Sequence, residues 1–401
     1  MTVTPPAPPT NAAPTLAAPS GETVVQENVT GTVLTVEASD PDGDTLTYAL
    51  VSGDTAPLQI DSVGAISFVE RPDFEDPADS DTDNVYTVGV RVSDPQGATA
   101  ETDVTIRVTD EPTPEQGLYT ERQFSDIRVT RNIQFQSDRG LFADLFEAAD
   151  SFGERRERPL IILASGGGFI AQSRASVEPI ARDFAARGWL AVTIDYRTLG
   201  RFPRDEAEIQ VAATRAVHDM FAAVRSARAG DGIVQTDFDS TRIVVGGESA
   251  GGVMAVTAAA LDPDDPISAP AIRDYLADNG GVYGDLLPSF AERSDVQGAL
   301  VLSGAVFDLD IIDAETAPTF AAHEEDDTVV PCEEGPEGAT GTNGIVIGAC
   351  DFVPDMIAKG VRAESYIVED DAGHVDFTDE ERAEIYDAAA ALLVEALFRA
   401  D

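Results

Sequence analysis

Lysine is almost missing from this chain: among 26 basic residues, Lys359 is the only one. Against 73 acidic residues this leaves a net charge of −47 and an isoelectric point near 4.1. A surface of that sign repels phosphate backbones and anionic headgroups, which argues against nucleic acid and anionic membranes as partners. It also favours solubility, in ordinary or strongly saline water, where screening shortens the range of self-repulsion. No apolar run approaches the roughly 18 residues of a membrane span. Cysteine is scarce as well. Cys332 and Cys350 are the only two, at the ends of CEEGPEGATGTNGIVIGAC. A disulfide there would close a loop worth on the order of 3 kcal/mol and would imply an oxidising compartment. Two free thiols are the alternative; zinc is disfavoured because no second pair of ligands lies nearby. The start, MTVTPPAPP, lacks the basic and apolar segments of a secretion signal,. An extracellular, cell-surface or periplasmic location is expected, with the signal absent from this sequence.

What is present divides in two. With 401 residues, 43% of them hydrophobic, the chain is long enough for two domains of unequal size,. Residues 1–19 are Pro/Ala/Thr-rich and read as a semi-rigid tether. Over 20–112 apolar residues alternate, as in Tyr86, Val88, Val90, Val92 and again Val104, Ile106, Val108, with Asp/Pro/Gly turns between. Short alternating strands of this kind predict an all-β sandwich. After the linker EPTPEQG, over 118–401, the runs PLIILAS, LAVTIDY, RIVVGG and GALVLSG lack alternation, as parallel strands covered on both faces do. Helical spacing of Ile209, Val217, Met220, Phe221 and Val224 lies between them, so the second domain is expected to be α/β with a mostly parallel sheet flanked by helices.

The turns ASDPDGDTLTYAL, RPDFEDP and VSDPQG resemble those of a bacterial cadherin-like repeat, an Ig-like sandwich. By that resemblance Glu27, Asp73, Glu75 and Asp110 match positions that hold calcium at one pole, and Asp40, Asp42 and Asp94 match the other. A structural Ca²⁺ is therefore implied, although Asp and Asn favour turns for local reasons too.

In the second domain a strand ending at Val245 runs into Gly247-Glu248-Ser249-Ala250-Gly251 and then a helix of small residues. That is the pattern of a nucleophile elbow, in which glycine neighbours permit a strained backbone and leave the hydroxyl exposed. The chain from 118 to 401 resembles the α/β-hydrolase family, and within it esterases and lipases. A serine needs a base, and there are three histidines. His218 sits within a helix and reads as a surface or hydrogen-bonded helical histidine. His323 opens HEEDDTVVP, which resembles the family's HGTxDxxVP; the resemblance makes Asp327 the acid, with Asp326 as a substitute, and two glutamates stand where the family has Gly-Thr. His374, in YIVEDDAGHVDF, matches the catalytic histidine. SGGGF, residues 165–169, stands where the family has HGGGF and implies an oxyanion hole of Gly167, Gly168 and the Ala250 amide.

The stretch 261–295 is an insertion, with Tyr275, Tyr283, Leu286, Leu287 and Phe290 as either substrate contacts or anchors to the core. The function expected is a secreted serine carboxylic ester hydrolase needing no cofactor for catalysis. Its substrates would be small or polymeric esters, including acetyl or feruloyl groups on polysaccharide, and polyesters. The first domain would touch a polymer or a cell surface. An adhesion protein with a vestigial hydrolase domain and a serine peptidase are the alternatives.

Overall fold

The computed structural model describes residues 11–17, 21–27, 29–74, 77–109, 117–136, 139–149, 158–229, 232–236, 238–284, 294–338, 340–342 and 344–398. The chain separates into two compact units, Met1–Thr113 and Pro114–Asp401.

The first unit is built of strands alone among its described residues. They are β1 (Thr15–Ala17), β2 (Thr23–Gln26), β3 (Thr32–Thr35), β4 (Glu37–Ser39), β5 (Thr47–Gly53), β6 (Leu58–Ile60), β7 (Ala65–Phe68), β8 (Val85–Ser93) and β9 (Thr99–Thr109). One sheet runs β2-β9-β8-β5, a second β3-β7-β6, and β1 pairs with β4. The alternating residues of β8 and β9 turn inward: Tyr86, Val88, Val90, Ile106 and Val108 are buried. They pack with Leu34 and Ile66 of the opposing sheet and with Val36, which follows β3. The Tyr86 ring meets Phe68 edge-on at 5.1 Å, and its hydroxyl, carried into this core, accepts the Ala78 N–H at 3.1 Å,.

The expected tether needs correction at its inner end. Residues 15–17 pair with Glu37–Ser39, and Thr15 Oγ1 donates to Ser39 O at 3.1 Å. A three-residue edge strand is too short to show a period against a Pro/Ala-rich background. Residues 1–10, 18 and 19 of that tether lie outside the described residues.

The second unit contains β10 (Ile127–Gln136), β11 (Leu141–Ala148), β12 (Leu160–Ala164), α1 (Glu178–Ala186), β13 (Leu190–Ile194), α2 (Glu206–Arg228), β14 (Ile243–Glu248) and α3 (Ala250–Ala260). It continues with α4 (Pro270–Asp278), β15 (Gly298–Leu302), β16 (Ala305–Val306), β17 (Thr319–Glu324), β18 (Glu334–Pro336), β19 (Ile345–Gly348), α5 (Ala349–Ala358), β20 (Ala363–Val368) and α6 (Asp379–Phe398). The main sheet has the order β10-β11-β13-β12-β14-β15-β17-β20. Its first three strands pair antiparallel, and the pairs from β13 to β20 are parallel. The four unalternating runs seen in the sequence are β12, β13, β14 and β15, buried throughout.

Helices cover both faces of this sheet. Ile180, Phe184, Ile385 and Leu393 of α1 and α6 fill one side, with Trp189 beside them. Met220, Phe221, Val256 and Phe352 of α2, α3 and α5 fill the other. Helix α2 starts where Asp205 caps the Glu208 N–H at 2.9 Å, and its periodic apolar residues, Ile209, Val217, Met220, Phe221 and Val224, are all buried,. Cys332 and Cys350 form a disulfide that ties the segment before β18 to α5.

Within the insertion, Tyr275 and Tyr283 are anchors to the core. The Tyr275 ring lies 5.5 Å from that of His218, and Tyr283 meets Phe221 edge-on at 5.3 Å. Leu286, Leu287 and Phe290 lie outside the described residues.

Candidate active site

Parallel strands present their carboxyl ends along one edge of the sheet, and the loops leaving β12, β14, β15, β17 and β20 converge there. Strand β14 turns into α3 at Ser249, whose φ of 51° and ψ of −118° lie where side-chain-bearing residues seldom go,. Glycine makes the turn feasible. A Cβ on Gly247 would stand 2.3 Å from Ala164 O, and one on Gly251 2.0 Å from the same atom. Ser249 N–H donates to Leu302 O at 2.8 Å, which pins the strained residue to β15.

Ser249 Oγ lies 2.8 Å from His374 Nε2, and His374 Nδ1 lies 2.6 Å from Asp327 Oδ2. Three side chains separated by 125 and 47 positions are thereby joined in one hydrogen-bonded line. The other oxygen of Asp327 accepts the N–H groups of Val329 at 2.7 Å and Val330 at 3.1 Å. Burial pushes this carboxyl upward, but hydrogen bonds from His323, His374 and the Val329 amide outweigh it and bring the pKa to about 2. Asp326 is exposed, and its N–H donates to Asp371 O at 2.8 Å.

His323 is fully buried in the turn beside Asp327. Its Nε2 donates to Val330 O at 2.8 Å, and its Nδ1 faces the Ala349 N–H at 3.4 Å,. His218 departs from the surface or hydrogen-bonded residue expected. It is buried on α2, and burial, helped by the charge of Arg197, lowers its pKa to about 4.

Residues that the motifs did not single out hold the histidine loop. Glu324, fully buried, accepts Ser303 Oγ–H at 2.7 Å on one oxygen and the Asp376 N–H at 2.8 Å on the other. Ser303 Oγ in turn accepts the Val375 N–H at 3.3 Å. Arg382 of α6 donates to Val375 O at 2.9 Å and Phe377 O at 3.0 Å. The second glutamate, Glu325, accepts the Asp370 N–H at 3.0 Å. The two glutamates that replace Gly-Thr in HEEDD thus tie the acid loop to the histidine loop, and that substitution was the signal for them. Glu248, beside the serine, is buried with Arg382 3.9 Å away; burial pushes its pKa up to about 7 despite the opposing charges of Arg382 and His374.

The glycine loop after β12 approaches the elbow closely: a Cβ on Gly166 would stand 3.1 Å from Ser249 Cβ. Gly167 and Gly168 have φ of 124° and 60°, and a Cβ on Gly167 would collide with Ala171 O at 2.2 Å. Ala250 is the first residue of α3, where an N–H has no intrahelical acceptor,. Ser165 braces this loop in a way of its own, its Oγ accepting the Ser173 N–H at 2.9 Å. Tyr196 adds a hydroxyl 2.9 Å from Ser165 O and 3.2 Å from Gly166 O.

Comparison with known proteins agrees with this architecture. The family described as BD-FAE matches residues 149–277, which include the glycine loop and the elbow, and the family described as bacterial Ig domain matches residues 11–107. The chain joins a bacterial Ig domain to an α/β-hydrolase esterase domain. The esterase domain is similar to carboxylesterase NlhH of Mycobacterium tuberculosis, with 27% identity over 205 residues, 50% of this chain and 58% of that protein. The chain therefore spans less than two thirds of the length of that relative. A non-reducing polyketide synthase of Aspergillus terreus is 33% identical over 133 residues, 32% of this chain and 5% of the synthase. Among solved structures, esterase 2 of Thermogutta terrifontis aligns with 20% identity over 68% of this chain and 96% of its own, at a TM-score of 0.49.

In the Ig domain the acids matched to calcium positions have other company. Glu27 Oε2 accepts the Phe74 N–H at 3.0 Å, and Glu75 and Asp110 lie outside the described residues. At the other pole Asp40 and Asp94 converge with Asp44, whereas Asp42 accepts the Ala12 N–H at 2.7 Å.

Proposed function

We propose that the esterase domain hydrolyses carboxylic esters with Ser249 as nucleophile, His374 as base and Asp327 as the acid that orients it. The observation that carries this reading is the unbroken hydrogen-bonded line from the serine hydroxyl through both imidazole nitrogens to a carboxyl held near a pKa of about 2. His374 Nδ1–H donates to Asp327, which leaves Nε2 to take the proton of Ser249 Oγ as that oxygen attacks the carbonyl carbon. The oxyanion that forms is met by the backbone N–H groups of Gly167, Gly168 and Ala250. His374 returns its proton to the departing alcohol, and the acyl group stays on Ser249. Water, deprotonated by the same nitrogen, then attacks the acyl carbon and releases the acid. Each step uses protein groups and water.

The finer reading is a secreted enzyme acting on acetyl or feruloyl esters of polysaccharides, or on polyesters, with the Ig domain resting on the polymer or a cell surface. The disulfide supports an oxidising compartment,. Ser249→Ala should reduce p-nitrophenyl acetate turnover to the buffer rate with an unchanged circular dichroism spectrum; equal activity in both proteins defeats the assignment. A panel of acetylated xylan, methyl ferulate, a polyester film and a matched amide then separates the substrate classes and distinguishes an esterase from a peptidase.

A further inference from the structure

The loop joining β7 to β8 reads Asp79-Ser80-Asp81-Thr82-Asp83-Asn84, with carboxylates at every second position. It is curled so that they meet: Thr82 and Asn84 have φ of 60° and 63°, and the Asp83 N–H folds back onto Asp79 Oδ2 at 2.9 Å. One oxygen from each of Asp79, Asp81 and Asp83 lies within 4.8 Å of the others. Asp79 is buried, only 6% exposed, and its Oδ1 meets no hydrogen-bond donor. Buried Asn84 also leaves its Oδ1 without a donor.

A buried carboxylate with an oxygen that lacks a donor, on a side chain that meets two further carboxylates, is costly unless a positive charge or a proton lies among them. No arginine forms an ion pair with the three among the described residues, and Arg107, whose charge Asp83 feels, is bonded to Glu22 at 2.9 Å. The oxygens are hard ligands. On a common calcium ion, with bonds of about 2.3–2.6 Å, they would stand no more than about 5 Å apart, which is the spacing found. Carboxylates at alternate positions followed by a left-handed residue repeat the first half of a twelve-residue calcium loop, where a glycine makes the same turn.

We propose that Asp79, Asp81 and Asp83 bind one Ca²⁺ at the β7–β8 loop of the Ig domain. This site is separate from both poles that the cadherin resemblance pointed to, and it is independent of the esterase reading. The position of the usual twelfth ligand, a bidentate glutamate, is held by Val90, so the affinity expected is that of extracellular modules, with Kd on the order of 10⁻⁴–10⁻³ M,. Mg²⁺, smaller and reluctant to shed water, should bind more weakly.

The test is calorimetric titration of CaCl₂ into the full chain, beside Asp81→Asn and the double variant Asp81→Asn/Asp83→Asn. Both side chains are exposed, so the fold should persist, and circular dichroism checks it. Glu27→Gln and Asp44→Asn serve as controls for the other acidic groups. The proposal expects saturable binding by the wild type and both controls, weakened at least tenfold in Asp81→Asn and lost in the double variant. A wild type that shows no saturable uptake up to 10 mM, a double variant that binds as the wild type does, or loss only in a control overturns it.

Discussion

Acidic side chains act over two ranges in this chain, within a turn and between distant loops. In the Ig domain Asp61 accepts the N–H groups of Val63 and Ala65, both at 2.9 Å, and Asp94 accepts those of Gln96 and Ala98 at 2.9 and 2.8 Å. These bonds reach two to four residues along the chain and close turns. In the esterase domain Asp327 reaches His374 across 47 positions, and Glu324 reaches Asp376 across 52. There the same chemical group positions distant loops. An acid that shapes its own turn is replaceable at small cost, whereas one that holds two loops in register governs whatever those loops carry.

Substitutions test this contrast from its strong end to its weak one. Asp327→Asn preserves shape but removes the charge that orients His374; kcat should fall by about 10⁴-fold with KM little changed, read by p-nitrophenyl ester kinetics. A loss of less than tenfold would place the orienting group elsewhere. Glu248 supplies a pH test. Its folded pKa of about 7 stands above the ordinary 4.5, so the folded state holds this proton more tightly than the unfolded chain. Its contribution to stability therefore declines as pH rises from 4.5 to about 7, by about 3 kcal/mol in all,. Glu248→Gln should flatten that decline and be the more stable protein at pH 8, measured by urea unfolding at a series of pH values; parallel profiles would contradict the cause given.

Glu324→Ala leaves the Ser303 hydroxyl and the Asp376 N–H without a partner and frees the histidine loop. A fall of about 10- to 100-fold in kcat, with KM held, is expected from one misplaced general base. Glu324→Gln, which keeps an acceptor, should recover part of it; equal loss in both variants, or a loss confined to thermal stability, would mark Glu324 as structural only. At the weak end, Asp61→Ala removes a turn acceptor and should cost about 1 kcal/mol of Ig-domain stability with unaltered ester hydrolysis. A change in hydrolysis there would break the distinction between turn-closing and loop-joining acids.

The same contrast explains what could be read before the fold was known. Period-two residues such as Val88 and Val90 pointed inward because a strand alternates faces, and β12 to β15 read as parallel because both of their faces are covered. The GESAG turn and the loops around Asp327 and His374 carry local marks of their chemistry, glycines and small residues at a strained reversal, so these three residues were legible by position. Glu324, Ser303, Tyr196 and Arg382 were not. Their partners lie on other strands and helices, and no short-range pattern distinguishes a buried glutamate that braces a loop from an exposed one. Only the misfit of HEEDD to the family pattern hinted at it. Strand β1 was missed for the opposite reason: its local composition resembles a linker, and its pairing with β4 is what makes it a strand.

The most direct measurement is covalent trapping. The intact protein treated with a fluorophosphonate should gain one adduct, located by peptide mass spectrometry on Ser249, and His374→Gln should suppress its formation by orders of magnitude because no base then activates the hydroxyl. An adduct on another residue, or equal labelling of the wild type and His374→Gln, would contradict the reading of these side chains as a working nucleophile and its base.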